Sequence, residues 1–188
     1  MTTLFRSGRA STPSGLKVAP QNYASLEQVA RQLYPMLPKI KGERYKLDCV
    51  KVLENLLAQA GYQLKIEERA TMNDCAAFTI PDMNMIVFRE DIYDLLHRGH
   101  VFGRSTVIHE MAHLVLRHSA TLHRRAKLGE HGFFEDSEWQ AKSLTAAIMM
   151  PIEACKIARS AGELATMCGT STWSASFRLE RLTKDRLL

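Results

Sequence analysis

His109-Glu110-Met111-Ala112-His113 brings together three residue types that do chemistry as a unit. In a helix, a spacing of four sets the two histidines about 6 Å apart along the axis and ~40° apart around it. Both imidazoles then leave one side and converge, which suits two positions of a tetrahedral Zn²⁺. Glu110 follows the first histidine on the same broad flank. From there it can reach a water on the metal without being a ligand. Zinc lowers the pKa of such a water toward ~7, and a carboxylate can then take its proton and pass it to a leaving amine. The chemistry expected is zinc-dependent hydrolysis, with one Zn²⁺ per chain and Glu110 as base.

A catalytic zinc needs a third protein ligand. A histidine six residues after His113, with glycine at three, would supply it in one long variant of the motif. Leu116 and Ser119 occupy those places. The remaining candidates are His118, His123, His131, Glu135, Asp136 and Glu138. A ligand on a second helix is held more rigidly than one on a loop, which favours Glu138. The competing assignment makes Glu138 a first-turn carboxylate that merely complements a helix dipole. On the same footing, His118, His123 and His131 are solvated residues.

These residues need elements to position them. Val107, Ile108, Met111, Ala112 and Val115 give the motif helix a broad apolar face, with Ser105 or Thr106 as its cap. A further helix is expected from Ser137 to Met150, stopped by Pro151. Upstream, Ser25–Tyr34 and Tyr45–Ala60 have helical periodicity, with Ser25 capping the first and Gly61 ending the second. Tyr62, Leu64 and Ile66 alternate with polar residues as in a half-buried strand. Ala76–Ile80 and Met85–Phe88 flank Pro81-Asp82-Met83-Asn84, which predicts a hairpin. A short helix follows over Asp91–His97, ended by Gly99. The C-terminal stretch predicts short helices broken at Gly162 and Gly169. Residues 1–22, rich in Ser, Thr, Gly and Pro, are expected to form a flexible tail.

With 188 residues, 46% hydrophobic and 24% charged, the chain has the composition of a globular protein. The net charge of +5 is compatible with nucleic acid but favours no partner. Cys49, Cys75, Cys155 and Cys168 form no C-x-x-C pair, which argues against a disulfide framework or a thiolate zinc site. No apolar run approaches bilayer length, and the N-terminus lacks the apolar core of a signal peptide, so a cytoplasmic protein without membrane contact is expected.

The run Val107–His118 resembles the motif helix of the ImmA/IrrE family of metallopeptidases. Glu138–Pro151 is similar to that family's E-x-x-A-N-x-F-A-x-x-L-L-M-P segment, in which the leading Glu is the third zinc ligand. Leu164–Leu179 looks like its C-terminal helix-turn-helix-like block, and the hairpin resembles the strands preceding its motif helix. The likeness spans roughly residues 45–182. It departs at Lys142, where the family has Asn; an ammonium has no acceptor with which to orient a histidine ring. Leu144-Thr145, Cys168, Thr170 and Ser174 are further departures. None of them removes a ligand or the base.

The resemblance implies an α+β, zincin-like core with a small, mainly antiparallel sheet over residues 23–152, and a helical module over 153–188. It also implies a substrate: a helix-turn-helix repressor or antitoxin, whose cleavage switches on a mobile element or a stress response. Phe78, Thr79 and Ile80 are the candidate edge on which an extended peptide would add a strand. Tyr93, His97, His100 and Arg104 are candidates for stabilising the oxyanion. The main alternative is a DNA- or protein-binding regulator with a structural or vestigial metal, resting on Arg178, Arg181, Lys184 and Arg186. Trp173 and Phe177 read as packing residues rather than base readers, which favours the enzyme. A peptidase toxin or exported effector is a third reading.

Overall fold

A computed structural model describes residues 14–118 and 131–188. The sheet has three strands in the order β1-β3-β2: β1 (Gln63–Glu67), β2 (Ala77–Ile80) and β3 (Met85–Arg89). β3 pairs antiparallel with β2, Phe78 opposite Val87, and parallel with β1, Leu64 opposite Ile86. The sheet is therefore mixed, where a mainly antiparallel one was expected. Ile86, Val87 and Phe88 are all buried, as a central strand requires. The predicted hairpin forms, turning through Pro81–Met83 with Asn84 in the left-handed region. β2 is the outer strand, and its second edge is unpaired within the sheet.

Helices cover the sheet. α1 (Tyr23–Leu33) starts two residues before the expected Ser25, because Asn22 is the cap and Ser25 closes a capping box from its third position. Cys49–Lys51 (α2) and Leu57–Gln59 (α3) are the ends of one helix whose middle, Val52–Leu56, is π-helical. Asp48 caps it, so Tyr45–Leu47 stay outside. A single turn, Arg69–Met72 (α4), links β1 to β2. α5 (Glu90–His97) leads through Gly99, at φ +71°, into the motif helix α6 (Val101–Val115).

α6 begins a full turn before the expected caps. His100 caps it, while the hydroxyls of Ser105 and Thr106 donate back to the Phe102 carbonyl. Close packing sets this start. A Cβ on Gly103 would lie 2.4 Å from the Leu96 backbone nitrogen, so only glycine lets α6 cross α5 there. α6 is buried on most of its circumference, and α7 (Ser137–Met149) packs beside it. Leu26, Phe88, Val107, Ile108, Leu144 and Ile148 belong to the main core.

Three helices complete the chain: α8 (Ile152–Ile157), α9 (Ala161–Cys168) and α10 (Thr172–Lys184). Gly162 lies inside α9 rather than at a break, because Ser160 caps that helix; Gly169 does end it, at φ +64°. These helices close a second buried cluster around Leu164, Cys168, Ala175 and Leu182, which also takes Tyr45 and Met150. Two buried arginines tie this part to the rest. Arg178 donates to the Met150 carbonyl and to Glu27 on α1. Arg104 donates to the carbonyls of Leu47 and Cys168.

Residues 14–21, expected within a flexible tail, form a strap along the segment leading into α7. Gly15 N–H donates to Asp136, Leu16 exchanges hydrogen bonds with Ser137, and Val18 N–H donates to the Glu135 carbonyl. Residues 1–13, the rest of that tail, lie outside the described residues. No helix among the described residues is long and apolar enough to cross a membrane.

Candidate metal centre and active site

α6 and α7 bring His109, His113 and Glu138 together, so that one ligand atom from each lies within 4.8 Å of the others. The Nε2 atoms of the two histidines are 3.2 Å apart. Glu138 Oε2 is 3.3 Å from His109 Nε2, and Oε1 is 3.2 Å from His113 Nε2. Zn–N and Zn–O bonds near 2.0 Å at a tetrahedral angle require ligand atoms about 3.3 Å apart. The edge between the two histidines matches that value, and each Glu138 oxygen lies at it from one of the histidines. The donor set, two imidazoles and a carboxylate, is also one that zinc takes in catalytic sites.

Glu138 is the second residue of α7. Asp136 fixes that end of the helix by accepting from Trp139 N–H and Gly15 N–H. A Cβ on Gly15 would fall 2.6 Å from the Glu138 nitrogen and 3.0 Å from its Cγ, so the strap lies directly against the third candidate ligand.

Glu110 is only 6% exposed and is not one of the three clustered residues. Its Oε2 accepts from Thr79 Oγ1 at 2.8 Å. Burial pushes its pKa up, and the Thr79 hydrogen bond and the two histidines oppose that rise. Thr79, a candidate peptide contact, therefore has a second role visible only in three dimensions: it orients Glu110.

The site opens into a cleft of about 1050 Å³. Ala77, Phe78 and Thr79 of β2 line it, as do His109, Glu110, His113 and Glu138; Ile80 does not. The far wall comes from α10, where Trp173 and Phe177 stack with centroids 6.1 Å apart. Trp173 is 78% exposed and Phe177 57%, so the expectation that they pack in the interior is corrected. Ala175, Arg178 and Leu182 are the inward face of α10, which turns the two aromatic rings outward.

The four oxyanion candidates are engaged elsewhere, and none lines the cleft. Tyr93 and His97 both bind Glu54, His100 caps α6, and Arg104 is buried between two backbone carbonyls. Among the other third-ligand candidates, His131 is a buried partner of Asp136, with its side chain 2% exposed, and is not solvated. His118 contacts His113 from behind rather than joining the cluster. His123 lies outside the described residues.

Lys142 stands one turn after Glu138, with Nζ 3.9 Å from Oε2 and the side chain 65% exposed. At this range a cation raises the cost of placing a metal on the same carboxylate, by up to about 1 kcal/mol in water. Lys142→Asn is expected to tighten Zn²⁺ binding by up to about fivefold, read by competition with a chromophoric chelator. Weaker binding in that variant would show the ammonium to be a support rather than a competitor.

Compared with family models and with curated proteins, the chain matches none.

Proposed function

We propose that this chain is a zinc-dependent endopeptidase of the H-E-x-x-H class, with His109, His113 and Glu138 holding the ion and Glu110 moving the proton. Within that class, its motif blocks are those of the ImmA/IrrE type: a zincin-like core followed by a helix-turn-helix-like module. The observation that carries the reading is the convergence of two imidazoles and a carboxylate, one ligand atom from each within 4.8 Å of the others, beside a buried carboxylate that is not one of them.

The chemistry zinc supplies in such a site is Lewis acidity, which acidifies water and polarises a carbonyl. The chain's own residues do the rest. Glu110 accepts the proton released as water oxygen attacks the scissile carbonyl carbon. It returns that proton to the amide nitrogen as the C–N bond breaks. Burial favours this role by bringing its pKa closer to the working pH, and Thr79 fixes the direction of its lone pairs. The free edge of β2 lies beside this carboxylate, and an extended peptide adding to it would cross the site.

Trp173 and Phe177 would then receive a large apolar side chain of the substrate. Replacing both by Ser is expected to raise KM about tenfold for peptides with a bulky apolar residue next to the cut, with kcat little changed. Unchanged KM across a panel of such peptides would remove them from the binding site.

A helix-turn-helix repressor or antitoxin is the substrate proposed, on the resemblance of the motif blocks. Co-expression with such a protein encoded beside this chain tests it: the wild type cleaves the partner and Glu110→Gln leaves it whole. An intact partner in both would sink this substrate class. The regulator reading has less support. Of its four basic residues, Arg178 is buried against Glu27, and Arg181 pairs with Asp185 while stacking on Tyr23. An exported effector has no specific observation in its favour.

A further inference from the structure

His118 follows the end of α6, and Arg117, at φ +53°, turns the chain so that its ring folds back under the helix. His118 Nδ1 is 3.0 Å from His113 Nδ1, and its Nε2 is 3.0 Å from Gln140 Oε1. Gln140, on α7, is 1% exposed. Its amide nitrogen donates to two backbone carbonyls, Ala19 at 2.8 Å and Phe134 at 2.7 Å. Those carbonyls can only accept, so the amide cannot be turned over without setting oxygen against oxygen. The oxygen must be the atom facing His118.

A chain of proton positions follows. Gln140 Oε1 accepts, so His118 Nε2 carries the proton. A neutral imidazole has one N–H, so His118 Nδ1 is an acceptor. His113 Nδ1–H therefore donates to it. That leaves the His113 Nε2 lone pair for the ion, on the side where Nε2 meets His109 Nε2 and Glu138 Oε1. This is the tautomer a metal ligand needs.

We propose that His118 and Gln140 are positioning residues: the Ala19 and Phe134 carbonyls orient Gln140, Gln140 sets the tautomer of His118, and His118 sets that of His113, presenting its Nε2 to the metal. His118 thereby takes the ring-orienting role that Lys142 cannot fill. Because Ala19 lies in the N-terminal strap, the strap supports the metal centre through three linked hydrogen bonds. The proposal rests on the reading of His109, His113 and Glu138 as a metal centre.

Two measurements on the full chain test it. Long-range ¹H–¹⁵N correlation spectra of the Zn²⁺-loaded protein are expected to place the proton on Nδ1 of His113 and on Nε2 of His118. A proton on Nδ1 of His118, or zinc bound through Nδ1 of His113, overturns the proposal. Chelator competition then compares Zn²⁺ affinity. His118→Phe is expected to lose 10- to 100-fold, on the order typical of lost supports to ligating histidines. His118→Asn, whose Oδ1 can stand where Nδ1 stood, should recover most of that loss. Wild-type affinity in His118→Phe, or an equal loss in both variants, overturns the proposal while leaving the metal centre intact. Wild-type protein that binds no Zn²⁺ overturns the metal reading and this proposal with it.

Discussion

Glu110→Gln is expected to lower the rate of peptide cleavage by about 10²- to 10⁴-fold, the range contributed by a positioned acid–base group, while the protein keeps its Zn²⁺. The substitution is nearly isosteric. An amide oxygen can still accept from Thr79 Oγ1, so the side chain has reason to stay where it is. The change therefore isolates proton transfer: an amide cannot take the proton from the attacking water. Glu110 lies outside the ligand cluster, so metal content measured by elemental analysis should be unchanged. Stability should not fall, because burial already disfavours the charged carboxylate and a neutral amide avoids that cost. Full cleavage by a folded, zinc-loaded Glu110→Gln protein would take the base assignment away. A joint loss of cleavage and zinc would instead make Glu110 part of the metal's support.

The parts of this site legible in the sequence are those encoded by local spacing. A separation of four on a helix brings His109 and His113 together whatever surrounds the helix. Pro81-Asp82-Met83-Asn84 encodes its turn through residues that tolerate it, and Asn84 does take the left-handed conformation. Glu138 was legible because it opens a helix with a clear stop at Pro151. What stayed hidden depends on distant partners. The strap at 14–21 is held mostly through its backbone, which leaves little trace in residue type, and its Ser/Thr/Gly/Pro composition resembles that of a free tail. Gly15 alone marks it, and only once Glu138 is seen beside it. The early start of α6 depends on Gly103 meeting Leu96, and the role of His118 depends on an amide 22 residues away. Trp173 and Phe177 depart from the usual behaviour of an aromatic pair at helical spacing, which packs inward. In α10 a buried arginine, Arg178, takes part of that inward face and frees the aromatic pair for the cleft.

Glu138→Ala is expected to weaken Zn²⁺ binding by at least about two orders of magnitude, since removing one of three protein ligands forfeits a large share of the roughly 10–16 kcal/mol a full zinc site can supply. The effect is readable as stability. A ligand that binds only the folded state adds about 4 kcal/mol at a thousandfold excess over Kd, so saturating zinc should raise the melting temperature of the wild type clearly and that of Glu138→Ala very little. The competing assignment predicts something different. If Glu138 only complements the dipole of α7, its loss costs about 0.3–1 kcal/mol with or without metal. The two predictions separate in one experiment, thermal melts of both proteins with and without Zn²⁺. The geometry favours the first outcome, because both carboxylate oxygens face histidine Nε2 atoms at 3.2 and 3.3 Å. A Glu138→Ala protein that melts slightly lower yet takes up zinc with wild-type affinity would return the carboxylate to the helix and leave His109 and His113 without their third ligand.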